Sequence, residues 1–176
     1  MPVSQRSIRP GSPADAPFLS EIYAEASRSA FQGLIPHAPL SLMIAKRTPP
    51  WWERLMGHGM RLLVLEVAGR VEGYVTLGPS RYGDSGYAGE IYEIYVRPDH
   101  QGLGLGSELF SASRDLLDST GLAGHMAWAL ADSAQACGFF VSHGGREFAR
   151  SRLMYPQRTL ERIAFGWPAR SGRQRD

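Results

Sequence analysis

The sequence predicts an α/β domain of the mixed, α+β kind, with a mostly antiparallel sheet and the order β-α-α-β-β-β-α-β-α-β-β. Three observations carry this reading. Residues 61–68 and 71–77 are apolar, β-rich runs joined by Gly69-Arg70, which is the pattern of an antiparallel hairpin. Residues 147–155 and 159–167, separated by Pro156-Gln-Arg158, read as a second hairpin that closes the chain. Between the hairpins, residues 90–118 read as a strand, a glycine-rich loop and an amphipathic helix. A doubly wound nucleotide-binding fold would alternate strand and helix from the start, and the early hairpin excludes it.

In chain order, residues 5–10 form a short strand stopped by Pro10 and Gly11. Ser12 is a helix N-cap, with Pro13 at the first helical position and Asp15 in the first turn. The helix runs to about Phe31 and turns Phe18, Ile22, Ala26 and Ala30 to one face. A helical pair follows over 40–46 and 51–57, split by Pro49-Pro50. Residues 78–89 are a glycine-rich loop. Residues 90–96 form the next strand, because Ile91, Tyr92, Ile94, Tyr95 and Val96 are β-branched or aromatic and Pro98 cannot extend a ladder. Residues 107–118 are helical, with Leu105, Leu109, Phe110 and Leu116 near one face. Residues 123–130 form a strand, and 133–143 a helix ended by Gly144-Gly145.

The chemistry concentrates in Gln101-Gly-Leu-Gly-Leu-Gly-Ser107. Glycines at alternate positions let the backbone turn sharply and approach a ligand without Cβ interference. A loop of this kind at a helix N-terminus aims free amides and the positive dipole end at one point, which suits a pyrophosphate. It is not a Walker loop, since Gly106 is followed by Ser107 and Glu108 where Lys and Ser or Thr are needed. A dinucleotide fingerprint starting at Gly102 would need glycine at Ser107.

The run Gln101-x-x-Gly104-x-Gly106, following a strand that ends Val-x-Pro, resembles the acetyl-CoA loop of the GCN5-related N-acetyltransferases, the GNAT family. The resemblance spans nearly the whole chain. It implies a GNAT fold: a mixed, mostly antiparallel sheet, splayed after the strand over 90–96, with helices on both faces and the cofactor in the V. Phe31-Gln-Gly-Leu-Ile-Pro36 and Ala164-Phe-Gly-Trp167 resemble segments of a bacterial subgroup, some of whose members resemble polyamine acetyltransferases.

The resemblance further implies the roles of individual residues. The backbone of Ile94, Tyr95 and Val96 would pair with the pantetheine arm of acetyl-CoA (coenzyme A). Gln101, Gly102, Leu103, Gly104, Leu105, Gly106 and Ser107 would cradle its pyrophosphate. Helix residues from Ser133 to Phe140 would flank the arm on its other side. The general base would be Glu90 or Glu93. Glu90 lies eleven residues before Gln101, the spacing at which GCN5-type histone acetyltransferases carry theirs, and is favoured. Strand alternation puts Glu93 on the opposite face. Members often carry Asn-x-x-Ala-x-x-Phe-Tyr in the late helix, the Tyr serving as acid; here Ser133 replaces the Asn and Phe140 the Tyr. Solvent, Ser133 or Tyr155 would then protonate the leaving thiolate.

Tyr23, Phe31, Trp51 and Trp52, grouped around the first helices, are the candidates for a substrate wall. The expected reaction is acetyl transfer from the thioester to a primary amine of a small molecule. A non-catalytic acyl-CoA-binding module and a protein or peptide N-acetyltransferase stay open.

With 176 residues, 43% hydrophobic and 20% charged, the chain fits one soluble domain over 1–168 with a polar tail over 169–176. A net charge of +2 argues against nucleic acid and anionic membranes as partners. The single cysteine, Cys137, excludes an internal disulfide, and the five histidines lack the paired spacing of a metal site. Without an apolar run near eighteen residues or a signal-peptide pattern, a cytoplasmic protein is expected. Exposed strand edges and the aromatic closing hairpin point to a homodimer.

Overall fold

A computed structural model of the chain describes residues 5–170. The elements are β1 (Arg6–Pro10), α1 (Ala16–Phe31), α2 (His37–Lys46), α3 (Pro49–Gly57), β2 (Arg61–Val67), β3 (Arg70–Pro79), β4 (Gly89–Val96), α4 (Leu105–Ser119), β5 (His125–Leu130), α5 (Ala134–Ser142), β6 (Arg146–Tyr155) and β7 (Arg158–Trp167). Most of the tail expected over 169–176 lies outside the described residues.

Local chemistry explains most boundaries. The backbone N–H of Ser12 donates to the Asp15 carboxylate at 2.8 Å, which satisfies a donor left free at the helix start. Arg9 clamps Asp15 and Glu66, tying β1, the helix start and β2 together. Pro49-Pro50 does not merely split two helices: it occupies the first turn of α3, where a missing N–H costs nothing. α4 begins at Leu105, so Gly106 is helical and the turn into it is made by Gly104 at φ 81°.

The strands form one sheet in the order β1-β2-β3-β4-β5-β7-β6, antiparallel except for β4 against β5. Alternation in β2 sends Leu63 and Leu65 into a core beneath α4 and α5, and Leu62 and Val64 into a core beneath α1 and α3. The first core contains Leu109, Phe110, Phe140, Phe165 and Trp167; the second contains Leu19, Ile22, Trp52 and Tyr74. Helices therefore cover both faces.

Two irregularities open the sheet at its centre. β4 and β5 pair only over Gly89–Ile91 and His125–Ala127. One residue further on, the β3–β4 register slips: Ile91 faces Leu77 but Glu93 faces Thr76, leaving Tyr92 as an extra residue. A bulge bends its strand and ends pairing on the far side. From Tyr92 to Val96, β4 is paired to β3 alone.

The bulge also corrects the sequence-based argument about the two glutamates. Glu90 faces Gly78 and Glu93 faces Thr76, residues two apart on β3. Both glutamates therefore lie on one face of the sheet, because the extra residue cancels one step of the alternation.

Candidate active site

A cleft of about 650 Å³ lies where β4 and β5 separate. One end is walled by the glycine loop and α5, the middle by the backbone and side chains of β4, and the other end by α1, β5, β6 and β7.

At the loop end, Gly102 and Gly104 have φ of 78° and 81°, a region that L side chains rarely adopt. The backbone N–H groups of residues 102–107 have no backbone acceptor among the described residues and point out at the start of α4. This is a nest of donors on a positive helix end. Gly106 is small for a different reason: a Cβ there would come within 3.3 Å of the Phe139 ring. Ser107 Oγ is 2.9 Å from His143 Nε2, which links α4 to the end of α5. Gln101 donates to the Val96 carbonyl at 3.2 Å and accepts from Gln135 of α5 at 2.9 Å.

In the middle, Glu93 reaches the cleft from the α1–α3 side. Arg47 Nη2 donates to Glu93 Oε1 at 2.5 Å, and the Tyr74 hydroxyl donates to Oε2 at 3.1 Å. The Arg47 guanidinium sits 4.0 Å from the centre of the Trp51 ring and 4.6 Å from that of Tyr23. Burial pushes the Glu93 carboxyl above the usual range, while Arg47 and the Tyr74 hydrogen bond hold it down. Glu90 is only 2% exposed and is held by Arg81, whose backbone N–H donates at 2.7 Å and whose Nη2 donates at 2.8 Å.

The profile of the Acetyltransferase (GNAT) family matches residues 20–144. The chain belongs to that family. A GNAT protein of Bacillus subtilis, the uncharacterized N-acetyltransferase YuaI, is 22% identical over 162 residues, 92% of each chain. The L-amino acid N-acyltransferase MnaT of Escherichia coli is 31% identical over 110 residues, 62% of this chain and 54% of that protein. Among solved structures, a GCN5-related N-acetyltransferase of Rhodopseudomonas palustris superposes with a TM-score of 0.75 at 20% identity, covering 96% of this chain and 98% of that one. YncA of Salmonella typhimurium, solved with its cofactor acetyl-CoA, gives a TM-score of 0.68 at 25% identity, covering 97% and 98%. Both GNAT structures share the mixed, splayed sheet described above.

Within this GNAT cleft, most of the residues expected at the cofactor are lining residues and two are not. Ile94, Tyr95, Val96, Gln101, Gly102, Gly104, Gly106, Ser107, Ser133 and Phe140 line it. Leu103 is 55% exposed and points elsewhere, and Leu105 is buried in the core under α4. Phe140 is also largely core, packed on Phe165 and Trp167.

Of the expected substrate wall, Phe31 lines the cleft. Tyr23, Trp51 and Trp52 do not: Tyr23 and Trp52 are buried in the second core, and all three rings stack around Arg47. Their rings surround the Arg47 guanidinium, which in turn donates to Glu93. Arg47, Trp128 and Arg162 escaped the sequence reading, since each looks there like an ordinary helix-end or strand residue.

Proposed function

We propose that this GNAT protein transfers the acetyl group of acetyl-CoA to a primary amine of a small molecule, with Glu93 as the general base. The observation that carries the assignment of the base is the Arg47–Glu93–Tyr74 constellation on the unpaired stretch of β4, beside the donor nest of the glycine loop. Glu90 is set aside because Arg81 occupies its carboxylate and its side chain does not line the cleft.

The cleft fits acetyl-CoA on its own chemistry. Free amides of residues 102–107 match a pyrophosphate, and the unpaired edge of β4 offers backbone groups to an extended amide chain. When bound, acetyl-CoA supplies an activated thioester that an amine attacks directly. Glu93 accepts a proton from the acceptor's ammonium group, directly or through one water, which frees the neutral amine to attack. Arg47 and Tyr74 orient the carboxylate and oppose the rise in its pKa that burial causes. A backbone N–H of β4 polarises the acetyl carbonyl. Phe140 has no proton to give. Ser133 Oγ accepts from the Ala136 amide, leaving its own hydroxyl hydrogen free for the departing sulfur.

Acetyl-CoA-dependent thiol release with a panel of small amines tests this reading. Turnover of at least one amine is expected. Coenzyme binding without turnover of any amine, peptide or aminoglycoside would instead make the chain a non-catalytic acyl-CoA-binding module, the reading that Phe140 favours.

A further inference from the structure

At the end of the cleft away from the glycine loop stands a cation without a counter-ion. Arg162 of β7 lies over the indole of Trp128 on β5, with its guanidinium carbon 4.1 Å from the ring centre. Alternation along β7 fixes the side: Ile163 and Phe165 enter the core beneath α5, so Arg162 projects toward the α1 face, as Leu160 does. Its Nε is buried and has no hydrogen-bond partner among the described residues. Arg47 is engaged by Glu93, Arg81 by Glu90, and Arg158 by Asp132 at 3.9 Å. Arg162 alone lines the cleft with its charge unmatched by any carboxylate within 4.0 Å among the described residues.

A planar guanidinium, stacked on an aromatic ring and partly withdrawn from water, is suited to bind a carboxylate through two parallel hydrogen bonds. The same cleft carries Glu93, an anion suited to an ammonium group. The lining of that cleft also includes apolar Ala26, Ala30, Phe31, Leu130 and Leu153. A site with one negative and one positive pole and an apolar wall matches a zwitterion with an apolar side chain. It repels a polyamine, whose second ammonium would meet Arg162.

We propose that Arg162 binds the carboxylate of the acceptor, and that the acceptor is a free amino acid with an apolar side chain. This rests on the acetyltransfer reading above and adds the substrate class to it. The α-amino group at Glu93 loses a proton and forms the N–acetyl bond, the thioester C–S bond breaks, and the sulfur leaves with a proton. The carboxylate stays at Arg162 throughout.

The test compares kcat/KM, at saturating acetyl-CoA, for L-leucine, L-methionine and L-phenylalanine with their carboxamides, their decarboxylated amines and spermidine. The carboxamides also stand in for a peptide N-terminus. A charge-assisted pair predicts a preference for the free acids of about 10- to 100-fold. Arg162→Gln should abolish that preference mainly through KM, and Arg162→Lys should restore part of it. A thermal shift with coenzyme A reports that each variant is folded and still binds the cofactor; if Arg162→Gln does not fold, Arg162→Lys carries the comparison. Amides or amines turned over as well as the acids, or a preference that survives Arg162→Gln, would overturn the inference and leave acetyl transfer standing. If no amine turns over, acetyl transfer itself falls. Calorimetry of L-leucine with the coenzyme A-loaded protein then decides the carboxylate site: binding lost in Arg162→Gln supports it, and no binding to the wild type sinks it.

Discussion

Glu93 experiences two opposed influences, burial raising its pKa and Arg47 lowering it, with burial the larger. A base in that position should give an acid limb in the pH profile of kcat/KM above the usual glutamate range, activity rising as Glu93 deprotonates. Glu93→Gln should remove that limb and lower kcat by about 10²–10⁴-fold. Glu90→Gln should leave the limb in place and show its effect in stability, because it disturbs the pair with Arg81. His125 makes a separate pH prediction. It is 1% exposed, stacked on Trp167 at 10° between planes, and burial pushes its pKa down to about 3. The unfolded chain takes up a proton near pH 6.5 that the folded chain refuses, so stability is complete above about 6.5 and falls progressively toward pH 3. His125→Phe, which keeps the stacked ring, should flatten that part of the stability curve in chemical denaturation across pH.

The elements that matter most are the glycine loop with α4, and α5. At Gly104 a side chain has room, with no atom within 4 Å, but φ of 81° strains any L residue. Gly104→Ala should therefore cost about 1–2 kcal/mol through backbone strain and weaken coenzyme A binding, both measurable by thermal denaturation with and without the ligand. α5 illustrates how an element can hold both core and site. Phe140 packs on Phe165 and Trp167 while its neighbour Phe139 covers Gly106. Truncating Phe140 to Ala should cost about 3–5 kcal/mol of stability, the usual penalty for emptying an aromatic core position.

At the scale of the whole molecule, the opened β4–β5 seam is the feature on which the proposed cofactor site depends. Coenzyme A at about 100 times its dissociation constant should stabilise the fold by roughly 2.7 kcal/mol, with NAD⁺ giving no shift. The sheet ends in two open edges, β1 and β6. β6 carries exposed Arg146, Arg150 and Arg152, and charges of this kind blunt an edge against pairing with another strand. No helix among the described residues is long and apolar enough to cross a membrane.

Local chemistry in the sequence was enough to determine the strand periods, the two hairpins, the capped start of α1 and the Gln101–Ser107 loop. Each depends on residues close together in the chain, where steric limits and alternation act directly. The tertiary structure alone put both glutamates on one face, through a one-residue bulge at Tyr92 that nothing in Glu90-Ile-Tyr-Glu93 announces, and left Glu93 lining the cleft while Arg81 holds Glu90. It also decided that Tyr23, Trp51 and Trp52 pack around Arg47 away from the cleft lining, and that Arg162 has no carboxylate partner among the described residues. Those outcomes depend on which side chains from distant strands and helices meet, and burial and pairing of charge are properties of the packed molecule.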